Sequence, residues 1–221
     1  MTIRLAIFDC DGTLVDSQAD IALAMEAAFA AHTLPAPSRA IIRRIVGLSL
    51  TEAIRQLAPA ADTQTTASLV AGYKDAFRAH RAAGTVQEPL YDGIAELIAE
   101  LDAAGWLLGV ATGKSDRGLA LCLERHGLSR HFVTLQTADR HPSKPDPSMI
   151  MACLDATGAA PSGTVMIGDT SYDMAMAVNA GVRAVGVDWG YHHPAELIAT
   201  GADAVAGSIA ELRTLLSTGE S

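Results

Sequence analysis

The spacing of hydrophobic positions changes character twice along the chain. Leu5–Phe8 is an unbroken apolar run that stops at Asp9 and Asp11. A run of that length, ended by acids and Gly12, predicts a buried parallel strand that opens into a loop. Between residues 17 and 83 no strand-like run recurs. Alanine-rich stretches with helical spacing predict helices over 18–31, 38–46, 50–57 and 63–81, broken at Leu34-Pro35-Ala36-Pro37, Gly47-Leu48-Ser49 and Pro59. Beyond Gly84 short apolar runs alternate with helical segments. Strands are predicted at 106–111, 132–135, 164–167, 184–187 and 204–205, and helices at 94–103, 115–126, 148–156 and 171–179. Ser115 stands at a helix start, and Gly105, Gly127 and Gly181 stand at helix ends.

Strand and helix in alternation imply an α/β protein, a parallel sheet with helices on both faces. Four helices in a row interrupt that alternation directly after the first strand, the signature of an insertion. The expected division is a core of residues 1–15 and 85–221 and a helical cap of residues 16–84.

Composition narrows the reading. At 221 residues the chain is long enough to bury a proper core. The net charge of −9 excludes a nucleic-acid partner held by basic surface. The helical insertion departs from the rest, with seven bases (Arg39, Arg43, Arg44, Arg55, Lys74, Arg78, Arg81) against six acids. No apolar stretch is long enough to cross a bilayer and no secretory pattern opens the sequence, so a cytoplasmic protein without a membrane partner is expected. Cys10, Cys122 and Cys153 share no metal-ligand spacing and read as buried, reduced thiols.

The chemistry lies where strands end. Asp9 and Asp11 sit two apart and share a face, and two carboxylates so close repel unless a proton or a cation intervenes. Mg²⁺, a hard ion that prefers oxygen ligands, resolves that conflict. Cys10 points to the opposite face. Three further polar clusters follow: Thr112-Gly113 after a strand, Ser143-Lys144-Pro145-Asp146-Pro147 in a loop, and Gly168-Asp169-Thr170-Ser171-Tyr172-Asp173 after another strand.

Asp9-Cys10-Asp11-Gly12-Thr13 followed by Leu14-Val15-Asp16 resembles the first motif of the haloacid dehalogenase-like superfamily, and the other clusters resemble its second, third and fourth motifs in order. The resemblance spans nearly the whole chain. It implies a Rossmann-like sheet of strand order 3-2-1-4-5, so that the motifs meet beyond the carboxyl ends of the central strands. Asp9 is the expected nucleophile, which forms an aspartyl-phosphate, and Asp11 the general acid and base. The dehalogenases of the superfamily lack this second acid, so its presence favours phosphate chemistry. Thr112 and Gly113 are expected to bind phosphate, and Lys144 to offset the charge of Asp9 and of the transferring group. Asp9, Asp169 and the backbone carbonyl of Asp11 are the expected Mg²⁺ ligands, with Asp173 in support.

The insertion resembles the cap of the phosphoglycolate phosphatase-like branch. Its loop 46–49 would face the site, and Arg43, Arg44 or Arg55 would contact an anionic part of the substrate. The expected function is Mg²⁺-dependent hydrolysis of a small phosphate monoester, similar to phosphoglycolate or a sugar phosphate. A β-phosphoglucomutase-like mutase, a phosphonate hydrolase and, in another class, an aspartyl-phosphate signalling switch are the alternatives. Gly168, where such mutases often carry an acid, leans toward hydrolysis. Oligomeric state is not encoded in these motifs.

Overall fold

The computed structural model describes residues 3–217. Residues 1–2 and 218–221, the outer ends of the expected core spans, lie outside the described residues. The described chain runs β1 (Leu5–Phe8), α1 (Gln18–Ala31), α2 (Arg39–Ile45), α3 (Leu50–Leu57), α4 (Thr63–Ala82), α5 (Ile94–Ala103), β2 (Leu107–Thr112), α6 (Asp116–Arg125), β3 (Thr134–Thr137), α7 (Ser148–Thr157), β4 (Thr164–Gly168), α8 (Ser171–Ala180), β5 (Arg183–Val187), α9 (Pro194–Ala199), β6 (Ala204–Ala206) and α10 (Ile209–Ser217).

The strands form one parallel sheet in the order β3-β2-β1-β4-β5-β6. β1 lies at its centre because it is apolar on both faces. Leu5 and Ile7 pack with Met149, Ile150 and Met174 of α7 and α8. Ala6 and Phe8 pack on the other side with Ile94, Leu97 and Leu119 of α5 and α6. Cys10 continues the second face, with its sulfur 4.0 Å from that of Cys122. In register, Phe8 pairs with Val110 of β2 and Ile167 of β4, so the three strands end at one level.

β3 begins two residues later than the sequence predicts. A turn of 3₁₀-helix over Ser129–His131 takes up the chain, Phe132 packs edge-on against Phe8, and pairing starts at Gly109 with Thr134. The resulting strand is polar yet hidden. Gln136 donates to Thr134 Oγ1 at 2.8 Å, and Thr134 in turn faces Cys153. α9 and α10 are additional to the expected elements.

The four helices α1–α4 share an apolar centre of Met25, Phe29, Ile42, Ile54 and Leu69. The starts of α2, α3 and α4 are capped by side chains: Ser38 accepts from Ile41 N, Ser49 from Glu52 N, and Asp62 from Thr65 N at 2.7 Å. Tyr191, from the segment after β5, is buried in the same cluster and ties the helical block to the sheet. No helix among the described residues is long and apolar enough to cross a membrane.

Candidate active site

β1, β2 and β4 deliver their terminal residues to one edge of the sheet, and nearly every polar group there is buried. Asp9 is 1% exposed, and Asp169, Asp173 and Thr112 are fully buried. Lys144, from the loop between β3 and α7, is also buried and reaches both Asp9 Oδ1 at 2.9 Å and Asp173 Oδ1 at 2.6 Å. Carboxylate oxygens of Asp9, Asp169 and Asp173 lie within 4.8 Å of one another. Three acids therefore face one ammonium group, which leaves a buried excess of negative charge.

That excess shows in the ionisation of the group. Burial pushes the Asp9 carboxyl up to about 7, with Lys144 opposing and the Asp173 and Asp11 charges adding to the rise. Burial likewise pushes Asp169 well above the ordinary carboxylate range, reinforced by Asp173 and Asp9. Asp9 Oδ1 also accepts from Cys10 N at 2.7 Å, whereas its Oδ2 is buried without a hydrogen-bond partner. A buried carboxylate oxygen of that kind is costly unless something outside the protein meets it. An orphaned oxygen, a second acid beside it and surplus negative charge fit a hard divalent cation.

Each acid is oriented by a separate device. Asp169 Oδ1 accepts from Thr13 Oγ1 at 2.8 Å and Oδ2 from Tyr191 N at 2.9 Å. Gly12 lies so close that a Cβ there would sit 2.2 Å from Asp169 Oδ2, and its φ of +87° is one that side-chain-bearing residues rarely adopt. Asp173 belongs to the capping box of α8, in which Oδ2 accepts from Thr170 N at 3.0 Å and Thr170 Oγ1 at 2.7 Å, while Thr170 accepts from Asp173 N. Both oxygens of Asp173 are thus committed, one to the helix start and one to Lys144. Its carboxylate holds the lysine in place.

Asp11 leaves this cluster for another. Its Oδ1 receives a hydrogen bond from Ser17 Oγ and lies 2.9 Å from Lys114 Nζ. The same ammonium group is 2.6 Å from Glu88 Oε1, and Glu88 Oε2 pairs with Arg81 of α4 at 2.9 Å. Lys114, the residue after Gly113, has a side chain only 10% exposed. Glu88 is fully buried. Burial acts to raise its carboxyl, but the Lys114 and Arg81 charges outweigh that and hold it below its ordinary value.

Thr112 ends β2, and its Oγ1 accepts from Lys114 N at 3.2 Å. Gly113 touches the helical block: a Cβ there would lie 2.4 Å from the Leu48 carbonyl oxygen. In the same loop, Ser49 N donates to Ser143 Oγ at 2.9 Å, beside Lys144. The loop between α2 and α3 therefore sits on the ends of the sheet.

Arg43 and Arg44 are placed at the seam between the helical block and the sheet, whereas Arg55 is not. Arg43 Nη2 donates to the Gly190 carbonyl, and its guanidinium lies 5.8 Å from the Tyr191 ring centre. Arg44 pairs with Glu196 of α9 at 2.7 Å, and Arg55 with Glu52 of its own helix at 3.8 Å. His192 is 3% exposed; it meets Ser171 N through Nδ1 and the Arg44 carbonyl through Nε2. Burial lowers its pKa. Sequence reasoning assigned nothing to Thr13, Ser17, Glu88 or Tyr191. Only Thr13 carried a signal, since it belongs to the first motif; the others arrive through tertiary contacts.

Comparison with known proteins agrees with the geometry. The family model described as "Haloacid dehalogenase-like hydrolase" matches residues 6–187. The chain is 36% identical over 215 residues to a protein of Dickeya dadantii named "Probable phosphatase IndB", covering 94% of this chain and 91% of that one. It is 33% identical over 215 residues to a phosphoglycolate phosphatase of Vibrio parahaemolyticus, covering 95% and 94%. The crystal structure of a hydrolase from Pseudomonas syringae superposes with a TM-score of 0.86 at 25% identity, covering 99% of each chain.

Proposed function

The chain belongs to the haloacid dehalogenase-like hydrolase family, and we propose that it is a Mg²⁺-dependent phosphatase working through a phosphorylated Asp9. The observation that carries this reading is the buried cluster in which Lys144 bridges Asp9 and Asp173 while Asp9 Oδ2 has no partner.

In the first step an Asp9 carboxylate oxygen attacks phosphorus, and the bond from phosphorus to the ester oxygen breaks. Asp11 gives its proton to the departing oxygen. In the second step the Asp11 carboxylate takes a proton from water as the water oxygen attacks phosphorus. The bond to Asp9 breaks, inorganic phosphate leaves, and both acids return to their starting forms. Lys144 offsets charge on the phosphoryl oxygens and on Asp9, and Asp173 fixes its position. Thr112 and the Gly113 N–H contribute to phosphate binding. Asp9, Asp169 and the Asp11 backbone carbonyl would hold Mg²⁺, which when bound would supply Lewis-acid stabilisation of charge on the phosphoryl oxygens.

Residues 16–84 act as a cap on a core of residues 1–15 and 85–221. Closure of loop 46–49 over Gly113 and Ser143 excludes bulk water from the phosphorylated enzyme. Arg43 and Arg44, expected from the sequence to contact an anionic part of the substrate, are held at the seam by the Gly190 carbonyl and Glu196. The substrate is a small soluble phosphorylated metabolite, which suits a cytoplasmic enzyme. The test is phosphate release from a panel of phosphate esters, with Mg²⁺ and with EDTA, for the native chain and Asp9→Asn. Metal-dependent release that vanishes in the variant is expected; release that survives Asp9→Asn would end the proposal.

A further inference from the structure

Between the cap helices and the second-motif loop lies a cavity of about 810 Å³. Of the four acids at the strand ends, Asp11 lines it, while Asp9, Asp169 and Asp173 are not among its lining residues. Under the proposed phosphatase reading, Asp11 protonates the departing oxygen, so the space beside Asp11 is where the leaving group goes. That space is large. Pockets of roughly 300–1,000 Å³ hold ligands of drug size, and a two-carbon leaving group would occupy a small part of it.

The lining specifies chemistry as well as size. Met25, Val70, Tyr73 and Phe77 from α1 and α4 give it an apolar wall. The Tyr73 hydroxyl has no hydrogen-bond partner among the described residues, and burial raises its pKa, so it stays a neutral donor. Two of the cations that reach the cavity, Arg81 and Lys114, are already committed to Glu88. Arg78 pairs with Asp75. Lys74 of α4 and Arg117 of α6 have no ion-pair partner among the described residues. The acid on that side, Asp139, accepts from Asp116 N at 2.9 Å. An apolar body with a free donor and two uncommitted cations calls for a leaving group that is bulky and itself anionic.

We propose that the preferred substrates are phosphate monoesters of bulky hydroxy acids, with the leaving group's apolar body on Tyr73 and Phe77 and its carboxylate at Lys74 and Arg117. The inference rests on the phosphatase reading and goes beyond it in naming the substrate class.

Three alkyl esters of similar intrinsic reactivity separate size from charge: 2-phosphoglycolate, benzyl phosphate and 4-carboxybenzyl phosphate. Filling the apolar wall should raise kcat/KM for benzyl phosphate over 2-phosphoglycolate by about 100-fold, within the range that apolar pockets achieve. 4-Carboxybenzyl phosphate should exceed benzyl phosphate by a further factor of about 10. In the Lys74→Gln/Arg117→Gln variant that last ratio should fall to about one. Both side chains are exposed, so the fold is retained. If 2-phosphoglycolate matches or exceeds the benzyl esters, or the variant keeps the carboxylate preference, the substrate assignment is overturned while the phosphatase reading stands. Failure to hydrolyse any of the three or p-nitrophenyl phosphate with Mg²⁺ overturns both.

Discussion

Mg²⁺ is expected to raise the melting temperature of this protein by an amount that depends steeply on pH. The perturbation is metal addition to the chelated protein, measured on either side of the Asp9 titration. Burial pushes the Asp9 carboxyl up to about 7 in the metal-free fold, from an ordinary value of 3.8. A carboxyl raised in this sense stabilises the metal-free fold fully below about pH 4, and the contribution is lost as pH rises through about 7. Asp169 is shifted in the same direction. A cation must displace the same protons, so its stabilisation grows as pH rises. At about pH 8, Mg²⁺ at about 100 times its Kd contributes about 2.7 kcal/mol, or roughly 5–10 °C for a chain of this size. At about pH 5.5, protonation of a group titrating near 7 weakens binding about 30-fold, which leaves about 0.8 kcal/mol, or roughly 2–3 °C. Differential scanning fluorimetry with Mg²⁺ and with EDTA reads both values, and Asp9→Asn should flatten most of the difference. Equal increments at the two pH values, or none at the higher one, would refute the reasoning.

Replacing Lys144 by Met removes the cation that faces three buried acids. Phosphate release should fall by about 10³-fold, and urea melts in EDTA near pH 8 should show a loss of about 3–5 kcal/mol. Gly113→Ala drives a Cβ against the Leu48 carbonyl, 2.4 Å away in the present arrangement. It should raise KM about tenfold by keeping the cap loop off the sheet, with a far-ultraviolet spectrum like that of the native chain. Glu88→Gln leaves Lys114 and Arg81 without their shared acid, at an expected cost of about 2–3 kcal/mol near pH 7. Because the Glu88 carboxyl is held below its ordinary value, the native advantage should be present above about pH 4.5 and fade as pH falls through the folded-state value.

The strand ends were legible because apolar runs terminate in chemistry. Asp9 and Asp169 each follow a buried strand and Thr112 ends one, and the described sheet places those strands side by side. Lys144 was legible from its loop between prolines, although its two acid partners come from different elements. Helix boundaries in the insertion were readable from the breaks at residues 34–37, 47–49 and Pro59, and the structure adds Ser38, Ser49 and Asp62 as caps that act by local hydrogen bonding. The Glu88–Lys114–Asp11 chain was not legible. Its members are 26 and 103 residues apart in sequence, and no local pattern marks an acid buried between two bases. The position of Arg43 and Arg44 was hidden for a similar reason, since their partners Gly190 and Glu196 come from the far end of the chain. β3 was misplaced by two residues because Phe132 and Val133 carry the apolar signal, whereas the paired residues are Thr134–Thr137.

The central claim is that Asp9 carries the phosphoryl group. In Asp11→Asn the base for the second step is absent, while p-nitrophenyl phosphate departs without needing an acid, so the intermediate should accumulate. The variant would be mixed with this ester and Mg²⁺, quenched in acid within the first turnover, digested and analysed by mass spectrometry. A phosphoryl group on the peptide containing Asp9, absent when EDTA replaces Mg²⁺, is the predicted result. Phosphorylation at another residue, or an unmodified Asp9 peptide from a variant that releases nitrophenol, would contradict the account.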